Sequence, residues 1–462
     1  MTSTVAITPD PRFDQAVLTA AAAVESEIWA DLMGVVGREA AVVAAAPAGA
    51  GKSHFVSATV GRLRAEGMRV ALVAPTNEQV YSLVARVKQL NPNLPVAFVH
   101  AQGRDLPAAT AALPGVTQPT ATEACDRREP LVIATVDKIA DAYLRCGLGD
   151  FDVLMIDEAF QADAARYYVA ANVAPAHLLV GDTGQLDPFS TIDDATFWRG
   201  GAEDPLQTAV GVLLRNHPST SVHRIPITWR LAPDAVPIAR CFYPGHAFSA
   251  AVHPGVRQLR LTRPGPGSGS LTAIDRALDE GSSSGWAHVT LPGTPVLTAD
   301  PATAELIRDL VLRLFARSAR ARCEDRDPAT DLRPRDVAVG VSHNDQKDLV
   351  RTLLDAAGLA GVMVDTANRL QGLTFEVVIA WHPLAGSPGI DAFHLDPGRL
   401  CVLLTRHRQA CIVVGRDTDR AFLEGIPPAT PGYLGWEPDP VLDGWDAHEG
   451  VFRLLEPHVI PA

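Results

Sequence analysis

The sequence predicts an α/β protein built on parallel sheets, and three observations carry that prediction. Short runs rich in Val, Ile and Ala recur: AAVVAAAP, VALVAPT, LVIATV, DVLMIDE, HLLVGD, DVAVGVS, EVVIAWH and ACIVVGR. Each is apolar on both faces and bounded by turn or charged residues, the pattern of a buried parallel strand. A helical pattern or polar turn follows each, so strands alternate with helices. Polar signatures (PAGAGKS, PTNEQ, DEAF, GDTGQLDP) come directly after strand ends, where the ligands of such sheets bind. The 462 residues leave room for about two or three domains of roughly 150 residues each.

Taken in order, the chain opens on MTSTVAITPDPRF, which has no basic segment followed by an apolar one. No signal peptide is expected there, and no apolar run approaches the roughly 20 residues of a membrane span. Residues 101–130, rich in Pro, Ala and Thr, read as a surface insertion. Residues 262–285 contain RPGPGSGS and DEGSSSG, which are flexible compositions. Residues 316–335 mix charges densely and read as a solvated helix end and loop. The tail after about residue 417 holds Pro and Trp but no interpretable motif. The six cysteines form no zinc-spaced cluster, so reduced thiols in a cytoplasmic protein are expected. A net charge of −13 excludes a protein that coats nucleic acid by bulk attraction, but leaves room for a local basic groove.

The chemistry begins at AAPAGAGKSHF, Ala45 to Phe55. It nearly spells the phosphate-binding pattern G-x-x-x-x-G-K-S/T, with Ala46 at the first glycine position. Consecutive N–H groups in a Gly-rich turn, followed by a helix N-terminus, make a concave anion site. Gly49, Ala50, Gly51, Lys52, Ser53 and His54 are the candidates, with Lys52 reaching the terminal phosphates and Ser53 a ligand for Mg²⁺. In VLMIDEAF an apolar strand ends in Asp157 and Glu158. Asp157 suits a hydrated Mg²⁺ and Glu158 suits deprotonation of the attacking water. Alone, the pair is also what a helix N-terminus favours. In LLVGDTGQLDP, Gln185 is an amide that can sense a γ-phosphate, though a plain turn has the same composition. Arg230 in ITWRLAP and Arg406 in TRHRQAC are guanidinium donors suited to the charge of phosphoryl transfer.

The ordered set resembles the superfamily 1 helicases, and within them the 1B branch of the nonsense-mediated-decay helicase, with RecD-type enzymes more distant. APAGAGKS is similar to motif I, APTNEQVYSLV to Ia, VIATVDKI to Ic, DEAF to II and GDTGQLDP to III. TWRLAPDAVPIARCFYPGHAFSAAV is similar to motif IV, TANRLQGLTFEVVI to V, and DPGRLCVLLTRHRQACIVVG to VI. The resemblance implies two RecA-like domains with parallel central sheets and an ATP cleft between them. It implies residues 1–235 as the first, with an insertion at about 95–130, and 236–416 as the second, with an insertion at about 255–335. Residues 417–462 remain a tail. Lys52, Ser53, Asp157, Glu158 and Gln185 would serve ATP and Mg²⁺ from the first domain. Arg230, Arg406 and the backbone of Gly372 would complete the site from the second. Gln346 resembles a glutamine of the second-domain segment before motif V.

By the same resemblance, Pro75, Thr76, Asn77 and Thr135 would contact a nucleic-acid strand from the first domain and Thr366 from the second. Thr76 or Asn77 could equally cap the following helix. Gln15 is the candidate for adenine, and Trp229 could stack on it or pack as core. The departures are the missing glycine at Ala46, His407 in place of a small residue, and Thr-Ala-Asn in motif V. The expected function is an ATP-driven helicase or translocase on single-stranded nucleic acid, moving 5′ to 3′ and acting as a monomer. The Ala/Arg/Val-rich usage favours DNA over RNA. The alternative is a strand-stimulated ATPase that remodels a nucleoprotein complex without unwinding.

Overall fold

The computed structural model describes residues 10–184, 207–265, 272–293, 297–385, 389–425 and 444–462. Two parallel sheets organise them. The first contains β1 (Ala40–Ala45), β2 (Val70–Ala74), β3 (Val96–Phe98), β4 (Val116–Thr117), β5 (Leu131–Thr135), β6 (Val153–Ile156), β7 (Ala176–Gly181) and β8 (Ser221–Arg224), in the order β4-β3-β5-β2-β6-β7-β1-β8. Every pairing in it is parallel. Successive side chains of a strand point to opposite faces, so each strand feeds two cores. Val42, Leu72 and Ile133 meet the helices Gln15–Val35, Lys52–Ala65 and Asn77–Leu90 on one face. Val43, Val73 and Val132 meet Val136–Cys146, Ala164–Ala170 and Ala209–Asn216 on the other.

The second sheet has the strand order Met363–Thr366, Val337–Val341, Phe375–Trp381, His407–Arg416, Trp286–Leu291, Val459–Pro461, again parallel throughout. Helices Pro301–Ala316 and Asn344–Ala356 cover one face, and Pro397–Leu404 and Gly444–Leu455 the other. Two parallel sheets, each covered on both faces, are the RecA-like pair that the resemblance implied.

Three segments carry more structure than their composition suggests. The stretch expected as an insertion at about 255–335 contains Trp286–Leu291, an inner strand of the second sheet. DEGSSSG is a helix end, not a linker: Ser282 and Ser284 bond back to main-chain carbonyls and Gly285 stops the helix at φ +81°. A Cβ on Gly285 would lie 2.4 Å from Asp234. The charged run after 316 is a hairpin of Ala319–Cys323 and Arg326–Asp331, joined by Gln258–Leu261. In it Ala319, Ala321 and Cys323 face inward, alternating with partly exposed Arg320 and Arg322. The described tail, 444–462, adds a helix and the edge strand to the second sheet. Likewise β3 and β4, within the expected insertion at 95–130, extend the edge of the first.

Candidate nucleotide site

Strand β1 runs buried into the loop, and Ala46 prolongs it by donating its N–H to Gly181 O at 2.8 Å. Its methyl group belongs to the first core and is fully buried. It therefore packs under the loop, which is why alanine serves where the pattern has glycine. Gly49 and Gly51 hold φ of +76° and +84°, a conformation that glycine adopts without penalty. The segment Thr228–Arg230 presses against this turn. Trp229 N–H donates to Gly49 O at 2.8 Å, and Thr228 Oγ1 donates to Ala48 O at 2.8 Å. A Cβ on Gly49 would lie 2.4 Å from Arg230 Cβ, so the close approach itself requires glycine.

Lys52 opens the helix Lys52–Ala65 and is buried among acids. Its Nζ lies 3.3 Å from Asp182 Oδ2 and 3.6 Å from Glu158 Oε1. Burial pulls its pKa down, and Glu158, Asp182 and Asp157 more than offset that, leaving it raised. Asp157 ends β6 with 3% exposure. Burial, then Glu158, pushes its carboxyl up to about 7. Glu158 sits at φ 56°, ψ 41°, a left-handed conformation rare for a residue with a side chain. Tyr243, which sequence reasoning did not single out, donates to Asp182 Oδ1 at 2.8 Å and accepts the Ala48 N–H at 2.9 Å. Gly184 passes so close to the Tyr243 ring that a Cβ would meet it at 2.7 Å. The only signal for Tyr243 was its place in the FYPGH run of motif IV. Gln185 lies outside the described residues.

Two cations meet beside the loop, Arg406 from just before the second sheet's strand His407–Arg416 and Arg230 from the segment packed on Gly49. Arg406 is fully buried; its Nε donates to Val402 O and its Nη2 to Thr405 Oγ1, while Nη1 has no hydrogen-bond partner among the described residues. Arg230 reaches across from the loop side, donating to Thr374 Oγ1 at 2.9 Å and Thr405 O at 3.3 Å. Desolvation and the adjacent Arg406 hold its pKa below the usual range. Two guanidiniums this close concentrate positive charge beside the phosphate loop. Arg408 is engaged elsewhere, with Glu324, Asp325 and Glu376. His407 is buried against the edge of Trp286 at 4.9 Å, and burial, then Arg230, pushes it down to about 3. The unusual residue in motif VI is thus a neutral core side chain.

Trp229 is 43% exposed and lies over the loop, 3.2 Å from where a Gly51 Cβ would sit. Phe13 meets its ring edge-on at 6.0 Å, and Gln15 donates to Phe13 O at 3.4 Å. Gln15 and Trp229 therefore share one corner beside the loop. His54 faces Glu25, Trp29 and Arg62 in a shallow cleft against the first helix. Gly372, at φ +81°, leaves open space where a Cβ would sit, two residues before Thr374.

Thr76 and Thr135 each cap the helix that follows their strand, and Thr366 stands at the same position in the second sheet. Pro75 and Asn77 flank Thr76, half-buried. Gln346 does not reach the site: it accepts from Ser342 and His343 N–H and donates to Thr298 O within its own domain.

Residues 32–191 match a family model described as an AAA domain, and residues 298–418 match a second model of the same description. No curated protein matches the chain. Among solved structures, a helicase of PRRSV shares 15% identity with a TM-score of 0.41, covering 88% of this chain and 56% of its own. An arterivirus nonstructural protein 10 helicase solved with DNA shares 14% at a TM-score of 0.44, covering 88% and 63%. A Pyrococcus furiosus Hef helicase domain shares 14% at 0.36, covering 90% and 98%. The chain thus spans about 56% to 63% of the length of the two viral proteins. Among the described residues, no helix is long and apolar enough to cross a membrane.

Proposed function

We propose, from the two AAA-domain matches and the resemblance of the ordered motifs to superfamily 1 helicases, that this chain hydrolyses ATP to move along single-stranded nucleic acid. The observation that carries this reading is the pair Arg230 and Arg406, with Arg406 fully buried and its Nη1 unpartnered among the described residues. A γ-phosphate would supply an acceptor. Lys52, now held by Asp182 and Glu158, would move to the terminal phosphate oxygens. Glu158 would then accept the proton of the attacking water, and the two arginines would stabilise the charge that builds on the transferred group. Gly49, Ala50 and Gly51 form the phosphate loop and His54 lies in the helix that follows it, Gly372 would offer backbone from the second domain, and Gln15 and Trp229 form the corner suited to adenine. Ser53 and Asp157 have the donor set for Mg²⁺, which when bound would neutralise phosphate charge. Gln185 keeps its proposed γ-phosphate role on sequence grounds.

Pro75, Thr76, Asn77 and Thr135 at the strand ends of one sheet, and Thr366 on the other, would hold phosphates of the strand without reading its sequence. Closure on ATP and opening after hydrolysis would alternate these contacts and give directed steps. We take residues 1–235 and 236–416 as the two domains, with the described tail 444–462 adding its helix and edge strand to the second. Family resemblance supports 5′-to-3′ movement, and composition favours DNA.

Lys52→Ala and Glu158→Gln are expected to lower strand-stimulated hydrolysis about 10²- to 10⁴-fold while strand binding persists. ATPase rates with single-stranded DNA, single-stranded RNA and neither test this; unchanged hydrolysis in both variants sinks the assignment. A second reading, remodelling without unwinding, is favoured by the use of residues 96–98 and 116–117 as sheet strands and not as a separate wedge. Strand-stimulated hydrolysis without displacement on tailed duplexes would select it.

A further inference from the structure

Glu158 is held from two sides. Oε1 lies 3.6 Å from Lys52 Nζ, and Oε2 accepts from Gln161 Nε2 at 3.4 Å. Gln161 Oε1 accepts from Gln79 Nε2 at 3.1 Å, and Gln79 Oε1 accepts the backbone N–H of Thr76 at 3.0 Å. The two ends fix the direction of both amides. A backbone N–H can only donate and an ionised carboxylate can only accept, so neither glutamine can be reversed without setting like groups face to face. The series therefore runs one way, from the loop at residues 75–77 to the carboxylate at the end of the adjacent strand β6, which pairs with β2 in the register Val73↔Ile156.

We propose that Gln79 and Gln161 form a hydrogen-bonded relay that holds Glu158 in a resting position until a single strand engages the loop at Thr76. This rests on the reading above, in which Glu158 is the base and residues 75–77 touch the strand. The physical step is a handover. A strand phosphate is a stronger acceptor than an amide oxygen, so it takes the Thr76 N–H from Gln79. Gln79 and then Gln161 are released, and Glu158 is free to turn toward the water. The Gln161–Glu158 bond, at 3.4 Å, is the longest of the three and the easiest to break. Glu158 also sits in a sparsely populated backbone conformation, of the kind found at switch positions.

Two variants test the relay. Gln161→Leu removes the donor to Glu158. Gln79→Glu keeps an oxygen for the Thr76 N–H, and so keeps the helix cap, but loses the donor to Gln161. ATPase is measured without nucleic acid and with saturating poly(dT) or poly(U), together with KM for ATP. The relay predicts a strand-free kcat raised about three- to tenfold, the worth of one hydrogen bond. KM should stay within about twofold, and the stimulation ratio should fall by the same factor as strand-free kcat rises. A ratio equal to wild type in both variants, or strand-free and stimulated rates falling together, overturns the relay. If Gln161→Leu does not fold, Gln79→Glu decides alone. Glu158→Gln is assayed alongside. Wild-type protein that neither polymer stimulates overturns the underlying reading and the relay with it. Stimulated wild type and inactive Glu158→Gln, with unchanged ratios in the relay variants, overturn the relay only.

Discussion

Single residues in this cleft do work that substitution can isolate. Gly49 combines a left-handed φ with a Cβ position 2.4 Å from Arg230. Gly49→Ala should therefore cost about 1–3 kcal/mol in chemical unfolding and raise KM for ATP, because the loop must part from residues 228–230. Gly51→Ala faces only the movable Trp229 edge at 3.2 Å, so it should cost less. Tyr243→Phe strips a hydroxyl that serves both Asp182 and the Ala48 N–H, taking the acceptor from a buried backbone N–H and one donor from Asp182. A loss of about 1–3 kcal/mol is expected, read by thermal unfolding. Arg406→Ala should lower kcat by about 10³-fold while ATP binding, measured with a fluorescent analogue, weakens far less, because a guanidinium finger acts mainly on the transition state.

At the scale of elements, the hairpin Ala319–Asp331 braces the arginine loop. Arg257 donates to the carbonyls of Trp229 and Arg230, and Glu324 binds Arg257 and Arg408 together. Glu324→Gln should lower kcat several-fold and stability by about 1–3 kcal/mol, since it weakens two charge-assisted bonds at once. A kcat equal to wild type in steady-state assays would show that the hairpin merely packs there. The hairpin was not legible because its charges dominate the composition, and the inward alternation of Ala319, Ala321 and Cys323 is short. The phosphate-loop strand and helix were legible because their apolar run and Gly-rich turn are contiguous. Tyr243 and Glu324 were not, because each acquires its partners only when distant segments fold together.

For the whole molecule, the second domain buries neutral histidines. Burial pushes His288 down to about 4 and His407 and His448 to about 3, and holds His382 well below its ordinary value. A depressed base pKa contributes stability above its unfolded value, roughly 6.5, that is lost as pH falls toward the folded value. In that range the unfolded chain binds more protons. Asp419 and Asp157 oppose this: burial raises each to about 7, so their protonation as pH falls favours the folded state. Four groups against two leave a net loss, each worth up to about 1.4 kcal/mol per pH unit. Thermal unfolding should therefore show Tm declining from about pH 6.5 to pH 5. A flat or rising Tm over that interval would contradict the buried neutral state.

The two parallel sheets and the chemistry-bearing residues at their strand ends are readable from the chain, because apolar runs and Gly, Lys, Asp and Glu signatures are local in it. Lys52, Asp157 and Glu158 could be named from such runs taken together. Folding in three dimensions was needed to turn Ala46 into the core, to tie Arg408 to Glu324 while Arg406 keeps a nitrogen unpartnered among the described residues, and to close the second sheet with the tail. Those outcomes depend on which groups meet across long sequence separations, and burial and partner choice are set there, not in the local pattern.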